Sequence, residues 1–203
     1  MNWEALPKDI TGTHASPPAA RAISDEIVAL FSRRGSACYG EHVSMTEHSL
    51  QAAQFAQAAG APTALVIAAL LHDVGHLVAG VSTDLGDWSH DARHEDTGSR
   101  WLSARFAPEI SEPVRLHVPA KRYLCATDPD YARTLSPASV ATLKLQGGPM
   151  SAAEARQFER ERYFRDAVAV RRWDDQGKVA GLTTPGFEHY RGWIDALAAP
   201  PCI

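Results

Sequence analysis

Basic residues are too few in this chain to make it a nucleic-acid binder by charge. Lys and Arg number 20 against 24 Asp and Glu, the net charge is −4, and no local cluster reverses that balance. Cysteine is scarce as well. Cys38, Cys125 and Cys202 lie far apart and form no C-x-x-C. That excludes a disulfide framework or a zinc knuckle and predicts free thiols in a reducing compartment. No apolar run reaches the roughly 18 residues of a membrane span. The first residues lack the basic-then-apolar pattern of a secretory leader. The expectation is a cytoplasmic protein with neither nucleic acid nor membrane as a partner. Alternating strand patterns, internal repeats and low-complexity linkers are missing too, which leaves an all-α chain. At 203 residues it suits one domain with a substantial core.

Helical spacing and end signals set out the chain. Residues 1–20 are weakly patterned and predict an N-terminal arm, with one helical bundle over 21–203. Ile23, Ile27, Leu30 and Phe31 predict a helix over 21–34 that stops near Gly35. Ser44-x-x-Glu47 is a capping box that opens a helix running to Ala59, with His48 one turn in. Pro62 suits the first turn of the next helix, which carries the apolar run Ala64–Leu71 and ends in His72-Asp73. Residues 77–89 read as a loop, and helical spacing returns around His94. A helix from about 109 holds His117 and is interrupted by Pro119. Ser136-Pro137 opens a helix that ends at Gly147-Gly148. Ser151-x-x-Glu154 caps a long helix reaching Asp174-Asp175, and a last helix covers roughly 187–198.

Polar chemistry concentrates at His72-Asp73, directly after that apolar run. A buried His beside a buried Asp carries a large desolvation cost unless both are partnered, and a metal ion can partner both at once. The alternative is a capped helix end with a satisfied core histidine. The chain holds 9 histidines, and His48, His72, His94 and His117 fall at helix ends or first turns. With Asp73 and one of Asp174 or Asp175 they make a six-ligand set, drawn from successive helices as bundle interiors build dinuclear sites.

The order His48, His72-Asp73, Asp174 resembles the H…HD…D signature of the HD-domain superfamily, and His94 with His117 resembles its two-metal members. Most of that superfamily are phosphohydrolases. A smaller branch comprises diiron oxygenases, including enzymes that cleave the carbon–phosphorus bond of 1-hydroxyphosphonates. Four segments are similar to this branch: Tyr39-Gly40-Glu41, His117-x-x-x-Lys121, Ser139-x-x-Thr142 with Gln146-Gly147-Gly148-Pro149, and Arg171-Arg172-Trp173-Asp174-Asp175-x-x-Lys178. The Tyr-to-Glu spacing is one residue tighter than in the branch. Asp174 is favoured over Asp175 because Lys178 follows it by four residues.

The resemblance implies a helical bundle around two iron ions in a mixed Fe(II)/Fe(III) state, with O2 as co-substrate. His48, His72 and Asp174 would hold one ion, His94 and His117 the other, and Asp73 would bridge. The substrate would be a (1R)-1-hydroxy-2-amino- or 2-trimethylammonio-ethylphosphonate, with phosphate and glycine or glycine betaine as products. Lys121, helped by His76, Ser139 and Thr142, would take the phosphonate. Glu41 would meet the cationic nitrogen, and Tyr39 would close the iron site before substrate arrives. A 2-oxoglutarate-dependent hydroxylase would supply the hydroxyphosphonate. His76 reads equally well as a helix-end cap, while His14, His42, His90 and His189 read as surface or structural residues. Trp88 and Trp101 read first as core; as aromatic faces they would lean the choice towards the trimethylated compound. Two rivals remain: a metal-dependent phosphohydrolase using the same ligands to activate water, and a non-catalytic metal-binding module.

Overall fold

The computed structural model describes residues 18–37, 43–79 and 93–199. Eleven helices form among them: α1 Pro18–Arg34, α2 Met45–Ala58, α3 Thr63–Leu70, α4 Val74–Ala79, α5 His94–Ser103, α6 Pro108–Thr127, α7 Pro129–Thr134, α8 Pro137–Leu145, α9 Ala152–Phe158, α10 Phe164–Gln176 and α11 Phe187–Leu197. No strand forms among the described residues; Phe106 and Ala198 make an isolated antiparallel bridge. The all-α expectation holds. Among the described residues, no helix is long and apolar enough to cross a membrane.

The bundle grows outward from α3. Its sequence has no polar face, and a helix that is apolar all round is stable only when surrounded. Val66 through Leu71 are buried at 1% exposure or less. Helices α2, α6, α10 and α11 close around α3, and α1 lies across α4 and α11. Fully burying one Ile or Leu side chain stabilises by about 1.5–3 kcal/mol, so this short helix contributes heavily for its length. Ile67→Ala would remove fully buried atoms from this core, at a cost of about 2–5 kcal/mol.

Local signals fix the helix starts. The Ser44 hydroxyl accepts from the Glu47 amide while the Glu47 carboxylate accepts from the Ser44 amide, and Ser151 with Glu154 repeats the arrangement before α9. The Ser136 hydroxyl caps α8 by accepting from the Ser139 amide.

The structure departs from the sequence reading in five places. The first helix starts at Pro18, three residues inside the expected arm. Pro119 does not interrupt its helix: α6 runs unbroken through Pro113 and Pro119. Each proline costs a helix about 3 kcal/mol or more. The packing of α6 against α3, α5 and α10, which buries Ile110, Val114, Leu116, Val118 and Leu124, outweighs that cost. The expected long helix after Ser151 is two, because the chain turns between Phe158 and Phe164. Those two rings close edge-on at 5.3 Å and both pack on Tyr123. Finally, α4 extends to Ala79 inside the expected loop, and the short α7 has no counterpart in the periodicity.

Candidate metal centre

His72 and Asp73 lie in the turn between α3 and α4, not within a helix. Inside a helix, neighbouring side chains diverge by about 100°; in the turn they converge, with His72 Nε2 and Asp73 Oδ2 3.3 Å apart. The turn is held from the far side by Gly75. A Cβ there would stand 1.9 Å from the His94 carbonyl oxygen and 2.8 Å from the Gly98 amide nitrogen, so only glycine lets α4 lie backbone-to-backbone on α5. Arg93 passes through the left-handed region at φ 44°, and α5 opens directly on His94.

Six side chains from five places in the fold meet here. His48 Nε2 is 3.0 Å from His72 Nε2, 3.5 Å from Asp73 Oδ2 and 3.5 Å from Asp174 Oδ1. On the other side His94 Nε2 is 3.2 Å from His117 Nε2, and these nitrogens lie 3.3 and 3.6 Å from Asp73 Oδ1. Asp73 therefore turns one oxygen to each imidazole pair. Two three-residue groups close enough for a single ion result: His48, His72 and Asp73, then Asp73, His94 and His117. Asp174 reaches the first group through Oδ1. Asp175 does not; its carboxylate is bound to Arg171 and accepts from the Tyr131 hydroxyl at 2.6 Å.

Three imidazoles are locked from behind by carbonyls. Nδ1 of His48 donates to Gly177 O at 2.8 Å, His72 to Ala69 O at 2.8 Å and His117 to Val114 O at 2.7 Å. A carbonyl can only accept, so Nδ1 carries the hydrogen and every Nε2 lone pair faces the centre. His94 Nδ1 faces the buried Glu95 carboxylate at 3.5 Å.

The donor set fits metal ions. Asp73 is 1% exposed, yet neither of its oxygens has a hydrogen-bond partner among the described residues. The Nε2 atoms of His48, His72, His94 and His117 crowd round it at 3.3–3.6 Å. A buried carboxylate left like this is costly, and cations between it and the imidazoles remove the cost. Without them, burial pushes the Asp73 carboxyl up, but His72, His48 and His94 together outweigh burial and hold it well below the usual carboxylate range. Burial would lower His72, but Asp73, Asp174 and the Ala69 carbonyl together outweigh that and push the imidazole up to about 9. His117 is held well below its ordinary value, first by burial and then by His94.

A cationic wall adjoins the first group. Arg171, 4% exposed, donates to Asp174 Oδ2 at 2.6 Å and to Ser139 Oγ at 3.3 Å. Burial pushes Asp174 up, but Arg171, Lys178 and the imidazoles outweigh it and keep the carboxyl ionised. Lys121, 2% exposed, donates to Thr142 Oγ1 at 2.9 Å. Burial, with Arg171 second, pushes Lys121 down to about 7. Lys178 Nζ lies 3.3 Å from Ser139 Oγ and 3.8 Å from Asp174 Oδ1.

Among the described residues, then, the expected ligands and the Lys121, Ser139 and Thr142 group are brought together. His76 stacks on His94 with ring centroids 4.1 Å apart. Tyr39, Glu41, Trp88, His14, His42 and His90 lie outside the described residues. His189 bonds Gln57 at the surface, and Trp101 packs on the core beneath the Arg105 guanidinium. The sequence reading gave no role to Arg171 or Lys178. Their signal was available: Arg171 sits three before Asp174 on the same helical face, and Lys178 follows four after it, just past the helix end.

The HD domain model matches residues 45–143, which takes in every expected ligand except Asp174. A [1-hydroxy-2-(trimethylamino)ethyl]phosphonate dioxygenase (glycine-betaine-forming) of Leisingera caerulea is 44% identical over 176 residues, covering 86% of this chain and 90% of the relative. The chain belongs to the HD-domain phosphonate dioxygenase family. A second member, the hydroxymethylphosphonate dioxygenase of Gimesia maris, is 39% identical over 180 residues, 88% of this chain and 89% of its own length. An uncharacterised protein of Acanthamoeba polyphaga mimivirus is 33% identical over 172 residues, 81% of this chain and 77% of that protein. Both named relatives act on phosphonates with a hydroxyl on the carbon that bears phosphorus, and they differ in what else that carbon carries.

Proposed function

We propose that this protein uses O2 to cleave the carbon–phosphorus bond of a small (1R)-1-hydroxyphosphonate carrying a 2-amino or 2-trimethylammonio group. The observation that carries the reading is the split carboxylate of Asp73, one oxygen on each imidazole pair, in a chain of this family. His48, His72 and Asp174 would hold one iron, His94 and His117 the other, with Asp73 bridging a mixed Fe(II)/Fe(III) pair. Bound there, the pair would supply Lewis acidity and one-electron chemistry with O2.

The reaction balances without a further reductant. The C–H and C–P bonds of C1 break, and C1 and phosphorus each gain one oxygen atom. O2 takes up four electrons, and phosphate, a carboxylate (glycine or glycine betaine) and one proton leave.

The protein's own contribution is placement and charge. Lys121, Thr142 and Ser139 form a ready anion pocket beside Asp174, and a buried ammonium contacts phosphonate oxygens more strongly than an exposed one. A dianion arriving next to Lys121 draws its pKa back up, so substrate secures the proton that holds it. His76, which stacks on His94, would be a second phosphonate contact from the His94 side of the centre. The near-complete burial of the ligands keeps bulk water from them. Glu41 would pair with the substrate nitrogen and Tyr39 would cover the iron site before substrate binds. The upstream reaction is hydroxylation of the parent phosphonate at C1 by a 2-oxoglutarate-dependent enzyme.

The test is phosphate release by iron-loaded protein, in air and under argon. The substrates are (1R)-1-hydroxy-2-aminoethylphosphonate, its N-trimethyl analogue and hydroxymethylphosphonate. The expected result is O2-dependent release with one of the two cationic compounds preferred, and an EPR signal from a mixed-valent pair. Undiminished release under argon would make the protein a hydrolase. Preference for hydroxymethylphosphonate would remove the role given to Glu41.

A further inference from the structure

Gln51 lies one turn after His48 on α2 and is 1% exposed. Its side chain makes two hydrogen bonds to a single residue. Nε2 donates to the Val179 carbonyl and Oε1 accepts from the Val179 amide, each at 2.9 Å. A side chain here makes the paired contact that a neighbouring strand would make.

The segment it grips begins at Gly177, whose carbonyl takes the Nδ1 hydrogen of His48, and it contains Lys178. The approach is close. A Cβ on Gly177 would stand 3.1 Å from the His48 carbonyl and 3.3 Å from the Ala52 amide. α10 ends at Gln176, and beyond it the Gly177 amide donates to the Trp173 and Asp174 carbonyls and the Lys178 amide to the Gln176 carbonyl. The helix end therefore holds the Gly177 carbonyl from one side, and Gln51, through Val179, holds it from the other.

We propose that Gln51 is a positioning residue for the ion held by His48, His72 and Asp174, acting through Val179 and Gly177 on the His48 ring. The proposal rests on the two-ion reading above. The chemistry requires an amide, because only Asn and Gln present one donor and one acceptor side by side, and only Gln has this reach. A carboxylate at the same place offers acceptors alone and sets its charge against the Val179 carbonyl. Val179 is 48% exposed, so its backbone groups can turn to water when Gln51 is replaced, and the fold survives. What is lost is the fixed tautomer and ring angle of His48. Partners of this outer kind are worth about 10- to 100-fold in metal affinity.

The experiment is chelator competition on the full chain loaded anaerobically with ferrous iron. Gln51→Leu and Gln51→Glu are made alone and in His94→Ala and His48→Ala backgrounds. In wild type two ions per chain are released. In the His94→Ala background, either Gln51 change weakens the remaining ion by about tenfold or more. In the His48→Ala background the remaining ion is unaffected, a non-additivity that a general loosening of the fold would not give. Equal weakening in both backgrounds, or none in either, overturns the proposal.

Should both variants fail to fold, amide hydrogen exchange in the wild-type chain decides instead. Coupling is reciprocal, so removing iron must speed exchange at the Val179 amide, and an unchanged rate overturns the proposal. Wild type holding fewer than two ions defeats the two-ion reading and this inference with it. These readouts contain no phosphonate, so failed turnover would count against the proposed reaction alone.

Discussion

Replacing Gly75 by alanine adds one methyl group and should remove an ion. The new Cβ would stand 1.9 Å from the His94 carbonyl oxygen. That neighbour is backbone and cannot swing aside, so α4 and α5 must separate by about 1.1 Å to restore even 3.0 Å, a distance that real Cβ atoms hardly undercut. His94 moves with its carbonyl, and its Nε2 leaves the 3.2 Å and 3.3 Å contacts with His117 and Asp73. Forced overpacking costs about 1–3 kcal/mol. In a chain of this size that lowers Tm by roughly 2–12 °C. A displacement near 1 Å at reacting groups costs on the order of a hundredfold in rate, so kcat should fall further than stability does. The assay is iron per chain after gel filtration, with thermal melts and phosphate release on the same samples. The expectation is one ion lost, from the His94–His117 side. Gly192→Ala, with nothing within 4 Å of the new methyl, is the control and should melt no lower than wild type. Two tightly held ions in Gly75→Ala would refute the argument that this contact sets His94.

Three further outcomes are expected. Asp73→Ala should lose both ions and some stability, because each oxygen serves one imidazole pair and metal binding couples to folding; two ions retained would remove the bridge. Lys121→Ala should keep both ions but lower kcat/KM by about 10- to 100-fold, the worth of a charge-assisted contact. Because burial leaves Lys121 protonated only below about 7 in the substrate-free protein, kcat/KM should also fall as pH rises through that value. Lys121→Arg, charged throughout, should lose that limb of the pH profile. Glu41→Gln should raise KM for the amino and trimethylammonio compounds and leave hydroxymethylphosphonate unaffected; equal effects on all three would move Glu41 to a structural role.

The centre was more legible in the sequence than the frame that holds it. His48, His72, His94 and His117 stand out because polar rings at helix ends, beside apolar runs, need a reason to be there. Asp174 could be told from Asp175 only through Lys178. The structure supplies the physical cause, since Arg171 and Tyr131 occupy Asp175. Gly75 and Gln51 carried no comparable signal. A glycine needed for backbone-to-backbone approach looks like any other glycine until its neighbour across the gap is known. Gln51 bonds a residue 128 positions away, and no local periodicity reports that. Pro119 misled for a related reason. Its penalty is local and readable, whereas the packing on three sides of α6 that overrides it is not.

That unbroken α6 turns the helix into a measuring rod. His117 and Lys121 are one turn apart on a single stiff element, about 6 Å along the axis at 1.5 Å per residue. An interruption at Pro119 would have let the ammonium drift to suit phosphonates of different lengths. As built, the span between the imidazole and the anion pocket is set by backbone hydrogen bonds, not by a loop that can adjust. Compounds whose hydroxyl and phosphorus share one carbon match a fixed span of this kind. On the proposed reading, compounds with a methylene between the two groups should turn over poorly, because the helix cannot lengthen to follow them.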